Sequence, residues 1–201
     1  SEIFSQFLSV GVIALIVIFQ PEIRKFFQFI GDNNPLNNIL QKDNQQQYKE
    51  NELEQIVRAC TNMSASKTGA LIVMTRENPL TDISLTGDSI DSKISRELIE
   101  TIFFKNTPLH DGALVIRNRK MVAARCILPV SQNENIPSHL GLRHRASIGI
   151  TENTDCVTII VSEQTGHISY CSGGIIHENV GHKGLREMLS KEYGTSCKEK
   201  K

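Results

Sequence analysis

The sequence predicts an α/β fold, a mixed-strand central sheet flanked by helices. Three observations carry that prediction. Short runs rich in β-formers, such as Ala70–Thr75 and Val157–Ser162, alternate with stretches whose apolar residues recur at helical spacing, such as Leu53, Ile56, Val57 and Cys60. Some strands are joined by tight turns and others only by helical crossovers, which mixes antiparallel with parallel pairing. The composition, 39% hydrophobic and 22% charged over 201 residues, suits one core plus an appendage.

The elements follow in order. From Glu50 the apolar positions fall on one helical face. Gly69 admits a buried strand, Ala70–Thr75, and Asn78-Pro79 turns the chain. Asp91 or Ser92 is placed to cap a helix that turns Ile94, Leu98, Ile102 and Phe103 inward, and Asn106-Thr107-Pro108 breaks it. Ala113–Arg117 and Met121–Val130 read as two strands around a turn at Asn118-Arg119. A loop with Pro137 leads to Leu140–Ile150. Val157–Ser162 and His167–Cys171 form a second hairpin around Thr165-Gly166. Leu185, Met188, Leu189 and Tyr193 define a last helix closed by Gly194.

Ahead of this domain, Phe7–Phe19 is apolar apart from Ser9 and Gly11. It is short for a full span, which takes about 20 residues. It is apolar on every face and is followed by Pro21, Arg24 and Lys25, the charge pattern of a cytoplasmic boundary. The reading is the end of a transmembrane helix, with a buried core helix as the alternative. Ile23, Phe26, Phe27 and Ile30 then make an amphipathic stretch, and an Asn/Gln-rich linker runs to Tyr48. The expected organisation is a membrane-helix remnant over 1–20, a juxtamembrane segment and linker over 21–49, a globular domain over 50–194, and a basic tail over 195–201.

The charge balance, 22 basic against 22 acidic residues, argues against nucleic acid as a partner, since polyanion binding needs uncompensated Lys and Arg. A small phosphorylated ligand needs only a local basic cluster. The five cysteines are scattered, which speaks against disulfides and zinc and for a reducing compartment.

Two segments carry candidate chemistry. Asp111 lies between His110 and Gly112-Ala113 at the mouth of an apolar strand, as a turn aspartate or as an acid beside a backbone that a ligand can approach. Arg143-His144-Arg145 opens a small, apolar segment, as a solvated basic patch, an ion-pair donor or a grip for phosphoryl oxygens. Ser162-Glu163 ends a buried strand at its C-terminal edge, where ligands gather in α/β folds. His139, His167, His177 and His182 show no ligand spacing and read as surface residues. Tyr48, Tyr170 and Tyr193 are too dispersed for a stacking platform.

Lys67–Val73, Asn106–Ala113, Gly141–Ala146 and Val161-Ser162-Glu163 occur in the order and spacing of the DAC domain, the bacterial diadenylate cyclase domain, which the chain resembles. Asp-Gly-Ala and Arg-His-Arg are its two signature motifs. The segment from Gly11 to Arg24 resembles the last membrane helix of the membrane-anchored type, so the likeness leaves out only the linker and the tail. It implies a nucleotidyltransferase at the cell membrane, facing the cytoplasm. Two ATP would condense to cyclic di-AMP and two pyrophosphates with a divalent metal (Mg, Mn or Co). The likeness offers one motif set per chain, so two copies would meet as a homodimer.

By the resemblance, Asp111 orients or deprotonates a 3′-hydroxyl, Gly112 and Ala113 let the ribose approach, and Arg143 and Arg145 hold phosphates with His144 beside them. Ser162 touches the phosphate chain. Glu163, His110 and Asp111 are metal candidates. The backbone at Leu71 and Ile72 meets the adenine, and Leu142 and Ile127 border the nucleotide. The chain departs from its relatives at three places: Leu142 stands where they have Thr, Ile127 where an aromatic is frequent, and Gln164 where many have Glu. With Asp111 and both arginines present, the expectation is an active enzyme with altered nucleotide affinity or metal preference. A nucleotide sensor on the same fold and a membrane-tethered interaction module are the competing readings.

Overall fold

The computed structural model describes residues 19–20 and 47–194. The expected membrane remnant (Phe19 and Gln20 apart), the amphipathic stretch and the basic tail lie outside them. Among the described residues no helix is long and apolar enough to cross a membrane.

The order is α1 (Glu50–Ala65), β1 (Ala70–Met74), α2 (Thr81–Leu85), β2 (Asp88–Lys93), α3 (Arg96–Ile102), a 3-10 turn (Pro108–His110), β3 (Ala113–Arg117), β4 (Lys120–Cys126), α4 (Leu142–Glu152), β5 (Val157–Val161), β6 (Ile168–Ser172), β7 (Ile175–His177) and α5 (Gly181–Tyr193). The strands form one sheet in the order β2-β4-β3-β1-β5-β6-β7. Only β1 and β3 pair in parallel; every other pair is antiparallel. The expected mixed sheet with flanking helices is what the chain adopts.

Alternation along the strands splits the core in two. Ala70, Ile72, Met74, Leu114, Ile116, Ile159 and Val161 face α1, α3 and α5. Leu71, Val73, Val115 and Ile160 face α4, which contributes Ala146, Ile148 and Ile150. β1 and β5 are buried at every position, which is why they read as unbroken apolar runs. α1 is pinned at its start: the Glu52 carboxylate accepts from the Lys49 N–H at 2.9 Å and takes both arms of Arg119 at 2.8 Å. α4 is held by close backbone contact. A side chain on Gly149 would stand 2.4 Å from the Pro129 carbonyl and 2.6 Å from the Ser131 nitrogen, and the Ser131 N–H donates to the Arg145 carbonyl.

Several expectations are corrected. Asp91 and Ser92 do not cap a helix; they lie in β2, an edge strand whose mostly exposed, polar pattern carries no signal of burial. Ser95 caps α3, its hydroxyl accepting from the Leu98 N–H at 3.3 Å. The strand expected to reach Val130 ends at Cys126, after Arg125 takes a left-handed φ of +58°. α2 and β7 are additional short elements. Gly194 closes α5 without a left-handed turn: its φ is −71°, and glycine fits because a side chain would meet the Ser190 carbonyl at 2.3 Å. Tyr48 is buried and meets Tyr193 edge-to-face at 5.4 Å. The four described cysteines are free and buried, and burial pushes the Cys60 thiol up to about 12.

Candidate active site

Because β1 and β3 run parallel, the residues entering them share one edge of the sheet. The register Ile72↔Leu114, continued three residues back, sets Gly69 level with Asp111. β5 runs the other way, and Ala70↔Val161 continued one step sets Gly69 level with Ser162. Asp111, Gly69 and Ser162-Glu163 thus occupy three adjacent strand ends, about 10 Å from first to last at the usual strand spacing.

Arg143, in the first turn of α4, reaches this edge. Its Nη1 donates to Glu163 Oε2 at 2.9 Å, and both atoms lie 2.9 Å from where a Gly69 side chain would begin. α4 starts at the N-cap Gly141 with Arg143 and Arg145 in its opening turns and no acidic residue there. That is the reverse of what the helix dipole favours, so the helix start and the arginines add positive charge that Glu163 offsets only in part.

Asp111 follows the 3-10 turn. Its side chain is exposed and, among the described residues, makes no hydrogen bond or ion pair. His110 beside it is half-buried, with Nδ1 2.6 Å from the Thr107 carbonyl, which makes Nδ1 the donor and leaves Nε2 as an acceptor. Gly112 has φ +139°, and the space of its absent side chain is filled by the Arg125 backbone, 2.7 Å away. Glycine there serves the close approach of β3 and β4; Ala113 behind it is buried.

Other sequence-predicted residues stand differently. Arg143 and Arg145 diverge, because residues two apart on a helix do not share a face. Arg145 turns towards residues 131–136, its Nη2 donating to the Ile136 carbonyl at 3.5 Å. His144 is half-buried; desolvation holds its imidazole below the usual value against the pull of Glu178. Ser162 Oγ accepts from the Thr165 N–H at 3.2 Å and braces the hairpin. Ile72 pairs with Leu114 on one side and Ile159 on the other, and its side chain packs on the face away from α4. Leu71 is paired in the sheet too, opposite Ile160, and its side chain faces α4. Ile127 and Leu142 are exposed, at 70% and 76%. Sequence reasoning placed Gly69 at the strand entry and within the Lys67–Val73 segment of the resemblance, and gave it no role of its own.

Residues 57–176 match the model of the DAC family, described as DisA bacterial checkpoint controller nucleotide-binding. The chain belongs to the DAC family. It is 37% identical to the cyclic di-AMP synthase CdaA of Bacillus subtilis over 98% of this chain and 71% of that protein. It is 37% identical to a diadenylate cyclase of Listeria monocytogenes over 98% of this chain and 72% of that one. The crystal structure of a double mutant of DacA from Staphylococcus aureus superposes with a TM-score of 0.71 at 39% identity, covering 73% of this chain and 97% of that one. A structure described as a hypothetical membrane spanning protein from Bacillus cereus matches at 0.62 and 30% identity, with 89% of each chain covered.

Proposed function

We propose that this DAC chain condenses two ATP into cyclic di-AMP and two pyrophosphates. The observation that carries the reading is the single sheet edge where Asp111, Gly69, Glu163 and Arg143 meet. Such phosphoryl transfer asks for in-line placement and charge stabilisation; the basic start of α4 supports the second, and the pairing of two copies would supply the first. Arg143 and the start of α4 supply donors for phosphoryl oxygens. Asp111, exposed and without a hydrogen bond or ion pair among the described residues, is placed to take the proton of a 3′-hydroxyl or to orient it. With one set of these residues per chain, each 3′-hydroxyl attacks the α-phosphorus of the nucleotide on a second copy, so the working unit is a face-to-face homodimer.

The donor set fits a divalent metal of the kind that keeps most of its ligands from phosphate and water. Among the described residues no group of three His, Cys, Asp or Glu stands ready as a cage. Asp111 and His110 Nε2 offer adjacent donors, whereas the Glu163 carboxylate is already engaged by Arg143. Such a metal would neutralise charge on the phosphates. The apolar N-terminal stretch would tether the domain to the cytoplasmic face of the cell membrane, and the membrane spanning relative supports that placement.

The test is to incubate the chain with ATP and Mg²⁺, Mn²⁺ or Co²⁺ and to chromatograph the products while raising protein concentration. Cyclic di-AMP whose yield per protein climbs with concentration is expected. No cyclic dinucleotide with any of the three metals overturns the activity, and a concentration-independent yield overturns transient pairing.

A further inference from the structure

We propose that Glu163 is a positioning residue: it holds the Arg143 guanidinium across the vacant side-chain position of Gly69, level with Asp111. The inference rests on the cyclase reading and adds a role for a carboxylate that the resemblance assigns to metal.

The geometry is specific. Arg143 Nη1 and Glu163 Oε2 are 2.9 Å apart, and each is 2.9 Å from the point where a Gly69 Cβ would stand, with Arg143 Cζ at 3.1 Å. The ion pair therefore occupies the volume of a missing side chain. It closes three segments on one another: the entry of β1, the first turn of α4 and the end of β5. Glu163 is anchored from behind, because the Ser162 N–H donates to the His167 carbonyl, the Gly166 N–H to the Ser162 carbonyl and the Thr165 N–H to Ser162 Oγ. The arginine is the better covered partner, its side chain 27% exposed against 50% for the glutamate. Such a half-exposed pair adds little to stability. What it does is remove the rotameric freedom of a long side chain before the phosphate arrives, and only one guanidinium arm is used, so the remaining N–H groups stay available to a phosphoryl oxygen. As a metal ligand, Glu163 would have Oε1 to offer, and the cation would compete with Arg143 for the carboxylate's charge.

The test is a double-mutant cycle with native chain, Glu163→Gln, Arg143→Ala and the double variant. The readouts are calorimetric affinity for α,β-methylene-ATP, with chelator and with Mg²⁺, and the rate of cyclic di-AMP formation. Glu163→Gln is expected to weaken the analogue about tenfold, as loss of an orienting partner does, equally with and without metal. It should leave the unfolding midpoint in place and do nothing further once Arg143 is alanine. Gly69→Ala should reproduce the loss by pushing the pair apart, and adding Glu163→Gln to it should cost nothing more; this arm decides if Arg143→Ala abolishes binding. Equal losses in both backgrounds, or a loss seen only with Mg²⁺ and reversed by excess Mg²⁺, overturn the proposal. A native chain that binds the analogue yet makes no cyclic di-AMP sinks the cyclase reading and leaves the cycle to judge Glu163. An analogue that fails to bind the native chain overturns both.

Discussion

The two ends of the sheet are built on opposite terms. At the end that receives Asp111, Gly69 and Glu163, the surface is charged, and the Asp111 carboxylate stands unpaired among the described residues. At the other end, two clefts of about 530 and 460 Å³ open around Arg76, Glu192 and the end of α5. Several of their polar groups are engaged, while Tyr48 Oη and Arg76 Nε are buried without a partner among the described residues. Tyr193 donates to the Met74 carbonyl at 2.9 Å, and Asp155 accepts from the N–H groups of Glu77 and Asn78 at 2.8 and 3.2 Å. Arg76 pairs with Glu192 and lies over the Tyr193 ring, 5.8 Å from its centre. The difference teaches that depth and chemistry are separate. On the proposed reading, a second copy and two nucleotides would complete the charged end, so a deep cleft in one chain is not what would mark it.

The comparison breaks most sharply at Asp111. Asp111→Asn is expected to lower cyclic di-AMP formation by about 10²-fold or more, the usual loss for a general base. The unfolding midpoint should hold, because the exposed carboxylate supports no contact; product chromatography beside a thermal melt checks both. An equal loss from Arg76→Ala would erase the distinction between the ends. Gly149→Ala tests whether the charged end depends on how α4 is seated. The added methyl meets backbone on the Pro129–Ser131 segment, so a loss of about 1–3 kcal/mol in chemical denaturation is expected, with turnover falling more than the folded fraction does.

Tyr193→Phe probes the engaged end. It removes the donor to Met74, a cost of about 1 kcal/mol, and turnover per folded molecule should be unchanged. The smallest effect concerns pH. His144 has a folded pKa lowered by burial, so the unfolded chain takes the proton more readily. Its contribution is complete above the ordinary histidine value and is lost as pH falls through the folded value. Melting midpoints should drop more between pH 7.5 and 5 in the native chain than in His144→Gln.

Much of this was legible before any coordinates. β1 and β5 announce themselves because strands buried on both faces need no polar alternation, and the Thr165-Gly166 hairpin turns on a glycine with φ +79°. β2 could not be read from Asp88–Lys93, since an edge strand held by its pairing with β4 needs no apolar face. At the site, Asp111 and Arg143 were legible as residue types in a pattern. That Arg145 turns away from Arg143 follows from helical geometry, which a triplet of letters hides. The partnership of Gly69 with Arg143 and Glu163 joins residues remote along the chain, and it became visible only once strand register was fixed.

The lone parallel pairing has a consequence for how the molecule comes into being. Two parallel strands need a long crossover, and here β5 must also lie along β1 before Glu163 can face Arg143. Contacts of such separation form late. A ribosome that stops before position 157 therefore releases a polypeptide whose middle strand lacks one neighbour, and one that stops before 163 leaves Arg143 without its carboxylate partner.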